Sequence, residues 1–279
     1  MFTLIETSED LMFLNKELLQ CPYVAIDTEF RRTAKDNMKL ALLQVNDSTE
    51  IYLIDCLQIK EPKEICSFFS SPDTKKIFHS CREDIEAIYS WTKRGVLNIY
   101  DTQIANSLLG GTYSISYQAL VKEKIGLEVS KDETRTNWLR RPLTEAQLNY
   151  AASDVYYLLD LYLLQREEFS KTNKLEWLEE ESNKGSALDS RIELPRDKVF
   201  SIQKKEEKEI LIEFNNMVNK ISRIEGINPT LLFSKQNQKI LVLNTLSFGL
   251  EIALQGITNW RSRLIKENFS ALMKSFGVS

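Results

Sequence analysis

The stretch Tyr23-Val24-Ala25-Ile26-Asp27-Thr28-Glu29-Phe30 constrains the fold of this chain more than any other. Its apolar residues read as a buried strand, and a strand sends residues i and i+2 to the same face. Asp27 and Glu29 therefore project side by side from the centre of a sheet. Two like charges there are costly unless something positive lies between them. A hard divalent cation, Mg2+ or Mn2+, suits carboxylate oxygen best. The sheet is expected to carry a metal site on one of its faces.

The rest of the composition narrows the chemistry. A length of 279 residues favours one large domain, or a large one with a small one, and an apolar fraction of 43% is ample for a core. No run approaches 18 apolar residues, so no membrane span is expected. The N-terminal residues lack the basic region and the small-residue cleavage site of a secretory signal, so none is expected. Cys21, Cys56, Cys66 and Cys81 show no CxxC spacing and read as reduced, mostly buried thiols of a cytoplasmic protein. His79 is the single histidine, which excludes His-rich zinc chemistry and leaves metal binding to carboxylates. A net charge of −4 argues against a protein that coats duplexes non-specifically. Local basic clusters still exist at Arg31-Arg32, Lys75-Lys76, Arg135, Arg140-Arg141 and Arg261/Arg263.

Strands are expected at 22–28, 40–46 and 50–55, the last two joined as a hairpin by the turn residues Asn46-Asp47-Ser48-Thr49. A helix over 62–70 precedes a fourth strand, Lys76-Ile77-Phe78-His79, and a helix over 81–91. A short strand at 98–100 leads into helices at 102–109 and 116–124, an irregular region over 126–142, and one long helix over 145–169. The order predicts a mixed sheet, with antiparallel hairpins first and parallel crossovers later. The domains are expected at 1–170, with a polar linker over 171–199 and a small helical domain over 200–279.

Taken singly, the other acids say little. Asp84 follows the fourth strand, where Ser80 and Glu83 fit a capping box and leave Asp84 in the first helical turn. Thr144 and Gln147 fit a second box at the start of the long helix. Within that helix Tyr150 and Asp154 are four apart and so share a face, in a run too apolar to be solvated. Asp101 looks like an N-cap, Asp55 ends a strand, and Asp160 points to solvent. His79 reads as a packing residue, and Trp138 as either core or a stacking platform.

Together, Asp27, Glu29, Asp84, Tyr150 and Asp154 resemble the tyrosine branch (DEDDy) of the DEDD superfamily of 3′→5′ exonucleases, and within it the bacterial ribonuclease D family. The resemblance rests on Ile26-Asp27-Thr28-Glu29-Phe30, Leu43-Gln44-Val45, Phe78-His79 with Asp84, and Asp101-Thr102-Gln103. It continues through Arg135-Thr136-Asn137-Trp138-Leu139, Arg141-Pro142-Leu143-Thr144-Glu145 and Tyr150-Ala151-Ala152 to Asp154. It covers about residues 1–170. It implies an α/β, RNase H-like mixed sheet flanked by helices, and hydrolysis of RNA from its 3′ end with two divalent metal ions, Mg2+ or Mn2+. The implied partners are RNA 3′ ends, such as tRNA precursors and small structured RNAs; no protein partner is readable.

On this reading Asp27 bridges the metals, Glu29 and Asp154 complete the coordination of the first ion, and Asp84 supports the second. Tyr150 orients or helps deprotonate the attacking water, and because an ordinary tyrosine is a poor base the metal ions do most of the activation. Thr28 and Phe30 are expected at the terminal nucleotide, and Gln44, Arg135, Trp138 and Arg141 at backbone or bases. Residues 225–232 and 257–264 resemble an HRDC-type helical domain, with Trp260, Arg261 and Arg263 as candidate nucleic-acid contacts. A DNA 3′→5′ exonuclease uses the same acids, and a non-catalytic RNA-binding relative would be expected to lack one of them.

Overall fold

The computed structural model describes residues 2–34, 37–129, 136–186 and 204–277. Six strands form one mixed sheet: β1 (Thr3–Ile5), β2 (Tyr23–Ala34), β3 (Asn37–Asn46), β4 (Ile51–Asp55), β5 (Lys75–Phe78) and β6 (Ile99–Asp101). Their order is β1-β4-β3-β2-β5-β6. The β2–β3 and β3–β4 pairs are antiparallel, and β1–β4, β2–β5 and β5–β6 are parallel. The hairpin and the parallel crossovers thus fall where the sequence pattern puts them. Strand β1 and the helix that follows it, α1 (Ser8–Leu18), were not expected, because β1 is only three residues long.

Both faces of the sheet are buried, so its strands read as near-continuous apolar runs. Val24, Ile26, Leu43, Val45, Ile54 and Phe78 pack against α1, α2 (Pro62–Ile65) and α3 (Arg82–Thr92). Ala25, Leu42, Leu53 and Ile77 belong to the opposite core. That core includes residues of α4 (Thr102–Leu108), α5 (Tyr117–Lys124), α6 (Glu145–Tyr156) and α7 (Leu158–Ser170). Alternation places Asp27 on this second face, and α6 lies across β2, β3 and β4 directly over it.

Three expectations need correction. The single helix over 145–169 is two helices, α6 and α7, meeting at Tyr157. The helix over 62–70 stops at Ile65, and a 3-10 turn covers Ser67–Ser70. The polar linker contains a further helix, α8 (Leu175–Ser186), which packs on β6 and α4. Its charged surface hides an apolar side, with Leu178 buried and Trp177 stacked on Trp260 at 5.0 Å.

The C-terminal helices are α9 (Lys204–Glu225), α10 (Pro229–Leu232), α11 (Lys235–Phe248), α12 (Leu250–Gln255) and α13 (Asn259–Ser275). Their core, around Phe214, Leu232, Trp260 and Phe269, is continuous with the core over the sheet. Polar bonds fasten the join. The Asn228 N–H donates to Ser107 O (2.8 Å), Asn228 Nδ2 donates to Gly111 O (2.9 Å), and Lys174 Nζ donates to both Leu108 O and Gly226 O (3.1 Å each). Among the described residues no helix is long and apolar enough to cross a membrane.

Candidate active site

Three elements converge on the sheet face beneath α6. Strand β2 supplies Asp27 and Glu29, one pleat apart and partly open to solvent. It pairs with β5 only from Tyr23 to Ala25, so its edge beyond that point is free to meet the start of α3. There Asp84 is buried and accepts a short hydrogen bond from Thr28 Oγ1. Helix α6 begins on the expected capping box: Gln147 N–H donates to Thr144 Oγ1 (3.2 Å), and Thr144 N–H donates to Gln147 Oε1 (3.0 Å). Two turns later it delivers Tyr150 and Asp154 to the same pocket.

One oxygen each from Asp27, Glu29 and Asp154 lie within 4.8 Å of one another. The Tyr150 hydroxyl hydrogen-bonds the Asp154 carboxylate. Asp154 Oδ1, by contrast, is buried without a hydrogen-bond partner among the described residues. A buried acceptor left so is costly and points to a missing positive group.

The proton affinities follow from this crowding. Burial first, and then the charge of Asp154, push Asp27 well above the usual carboxylate range. Burial and the neighbouring Asp27, Asp154 and Asp84 push Glu29 up to about 10. Burial likewise raises Asp154 to about 7, and burial with the charge of Asp27 raises Asp84. Every shift has the sign that a cation would reverse. The donor set is hard oxygen with neither thiolate nor imidazole, which suits Mg2+ or Mn2+. The residues fit a divalent ion.

Asp84 stands apart from the trio and is joined to it through Thr28 and through the charge of Asp27, which is felt at Asp84. Phe30 is half-buried just past Glu29. Arg135 lies outside the described residues. Gln44 is the cross-strand partner of Asp27 and is wholly buried, with no hydrogen-bond partner for its amide among the described residues, so its side chain is closed off from solvent. Trp138 is also buried, with its ring 6.2 Å from that of Tyr150, which makes it core rather than a platform.

Arg141 is consumed internally. Its Nη2 donates to Asp55 Oδ1 (2.7 Å) and Ala41 O (2.9 Å), and its Nη1 donates to Trp138 O (2.6 Å). Trp260 is fully buried, and Arg261 is engaged with Glu181, Leu231 O and Leu232 O. Of the C-terminal candidates only Arg263 is exposed, with long ion pairs to Glu176 and Glu180.

The capping box at Ser80/Glu83 does not form. Ser80 has a left-handed φ of 64°, and Glu83 pairs instead with Arg32. Asp101 takes over that function. Besides capping α4 through Gln103 and Ile104, its carboxylate accepts from Ser80 N–H (3.0 Å) and Cys81 N–H (2.9 Å). One side chain thus ties the starts of two helices and fixes the turn that presents Asp84. Only the N-cap half of this role had a local signal. His79 is a packing residue, bonded to Thr102 Oγ1 and Ile115 O at 2.9 Å each.

A 3′-5′ exonuclease family model matches residues 2–167. With the carboxylate trio, the helical tyrosine and the mixed sheet in place, the chain belongs to the 3′-5′ exonuclease family. Within that class the likeness is to ribonuclease D. Ribonuclease D of Shewanella sp. (strain ANA-3) is 37% identical over 183 residues, which is 66% of this chain and 47% of that protein. The chain spans about half the length of the curated relatives it matches.

Among solved structures, Escherichia coli RNase D, described as an exoribonuclease involved in structured RNA processing, superposes with a TM-score of 0.64 at 22% identity. It covers all of this chain and 76% of that one. Brucella melitensis NrnC with bound Mg2+ superposes with a TM-score of 0.56 at 21% identity, over 66% of this chain and 89% of that one. At these identities the superpositions establish the RNase H-like exonuclease fold.

Proposed function

We propose that this protein is a cytoplasmic 3′→5′ exoribonuclease of ribonuclease D type that trims 3′ extensions from tRNA precursors and other small structured RNAs. The observation that carries the reading is the trio Asp27, Glu29 and Asp154 within 4.8 Å, with a buried, unpartnered oxygen on Asp154 and a tyrosine on its other. Asp27, Glu29 and Asp154 would hold one divalent ion, and Asp27 with Asp84 would support a second. Such ions supply charge stabilisation of the attacking and departing oxygens of an in-line displacement.

The remaining tasks fall to the chain itself. Tyr150, anchored on Asp154, orients the attacking water through its hydroxyl. Phe30 offers a stacking face to the terminal base, and the Thr28 backbone contacts the same nucleotide. Arg31 and Lys39 face each other across the β2–β3 pair, both exposed, just beyond the pocket. Like charges in register repel one another, so a phosphodiester between them is favourable. Arg32 is not available for this, being paired with Glu83 and Glu86. The C-terminal helices, HRDC-like in sequence, act as a docked packing module, since Trp260 and Arg261 face inward.

The purified chain with Mg2+ or Mn2+ is expected to shorten a 3′-extended tRNA one nucleotide at a time, and EDTA to stop it. Matched RNA and single-stranded DNA substrates decide the sugar preference, with RNA expected to be degraded faster. Cleavage that starts internally or at the 5′ end contradicts the proposal.

A further inference from the structure

The helix that carries Asp154 is interrupted just past it, and the side chain responsible comes from another element. Tyr157 separates α6 from α7, with φ −98° and ψ 3°. In an uninterrupted helix its N–H would donate to the Ser153 carbonyl, four residues back. Here the Tyr157 N–H donates to the Tyr117 hydroxyl (3.1 Å), which in turn donates to Ser153 O (3.0 Å). A hydroxyl from α5 therefore stands inside the helical ladder, and such an insertion bends a helix.

The bend is held from the sheet as well. Asn46 Nδ2 donates to Val155 O (3.1 Å) and Tyr156 O (3.4 Å), satisfying carbonyls that the break sets free. Tyr117 itself is buried, and its ring packs edge-on against His79 at 6.0 Å. Two of the three anchored carbonyls, those of Ser153 and Val155, belong to the immediate neighbours of Asp154 in the chain.

We propose that Tyr117 is a positioning residue: its hydroxyl, seated between Ser153 and Tyr157, sets the bend that aims Asp154 at Asp27 and Glu29. The proposal rests on the exonuclease reading of the pocket. Without the hydroxyl, the Ser153 carbonyl and the Tyr157 N–H are free to bond directly, and α6 and α7 straighten into one helix. Asp154 then moves relative to β2. Metal ligation tolerates only about 0.2 Å of error in a ligand distance, so even a small swing matters.

The test is Tyr117→Phe in the full chain, which keeps the ring in the core and removes only the hydroxyl. Its control is Tyr100→Phe, which also deletes one buried tyrosine hydroxyl facing α7, the one bonded to Gln165 Oε1 at 3.3 Å. Mn2+ affinity is measured by calorimetry without RNA, alongside kcat and KM on a 3′-tailed RNA and melting in EDTA. Tyr117→Phe is expected to weaken Mn2+ binding about tenfold or more and to lower kcat in parallel, with KM near the wild-type value. Tyr100→Phe should melt earlier by a similar amount but bind Mn2+ normally.

The proposal is overturned if Tyr117→Phe binds Mn2+ like the wild type, or if Tyr100→Phe weakens binding as much. Should Tyr117→Phe not melt cooperatively, Asn46→Ala carries the test. It is expected to weaken Mn2+ binding by a smaller factor, and wild-type affinity there overturns the proposal. Failure of the wild-type chain to bind Mn2+ would instead refute the exonuclease reading beneath it.

Discussion

Buried charge occurs in two very different settings in this molecule. Where Arg141 meets Asp55, and where Arg261 meets Glu181, each charge has an opposite partner, and each guanidinium donates further hydrogen bonds to backbone carbonyls. In the pocket beneath α6, Asp27, Glu29 and Asp154 crowd together with Asp84 at their side, all with raised proton affinity. The paired charges hold the fold, pinning the segment before α6 to the sheet and α13 to α8. The unpaired ones strain it, and a protein keeps such strain only where it serves chemistry.

The contrast makes opposite predictions for the two settings. Asp27→Asn should reduce hydrolysis of a 3′-tailed RNA to background, the largest effect, while the variant stays folded by circular dichroism. Arg141→Ala should cost about 3–5 kcal/mol in chemical denaturation, because it leaves Asp55 buried without its partner. Activity there should fall only as far as unfolding requires.

Tyr150→Phe sharpens the comparison within the pocket. It should slow kcat by roughly tenfold to a hundredfold with little change in RNA binding measured without turnover. On the proposed reading Tyr150 orients the attacking water, whereas the carboxylates hold charge.

The smallest effect is in the pH dependence. Asp154 titrates near 7 in the folded chain against an ordinary 3.8, and Glu29 near 10 against 4.5. The folded state therefore binds more protons than the unfolded state between those values. Metal-free stability should be greatest on the acid side and fall as pH rises from about 4 through 7 and on toward 10. Mn2+ should flatten or reverse this slope, since it binds the deprotonated carboxylates and binds them better as pH rises. A stability that rises with pH in EDTA would break the comparison.

What could be read from the sequence was what depends on local geometry. The strand period put Asp27 and Glu29 on one face, the helical period put Tyr150 beside Asp154, and Thr144 with Gln147 marked where that helix starts. What stayed hidden depended on partners distant in the chain. Arg141 looked like a phosphate contact because Asp55, 86 residues away, is not visible as its partner. Ser80 and Glu83 looked like a capping box because Asp101 and Arg32 are the groups that intervene. Gln44 and Trp138 belonged to motifs shared with nucleases, yet the structure buries both. The break at Tyr157 had no signal in its own segment, since the hydroxyl that makes it comes from Tyr117, 40 residues earlier.

The most direct test is the melting temperature of Asp27→Asn beside the wild type, each with EDTA and with Mn2+. The unpaired-charge account predicts that the order of stability inverts. The variant, relieved of a like charge, melts higher in EDTA, and the wild type, stabilised by the ion, melts higher in Mn2+. A variant that melts below the wild type in EDTA, or that gains as much from Mn2+, would show that Asp27 is an ordinary structural charge and would contradict the account.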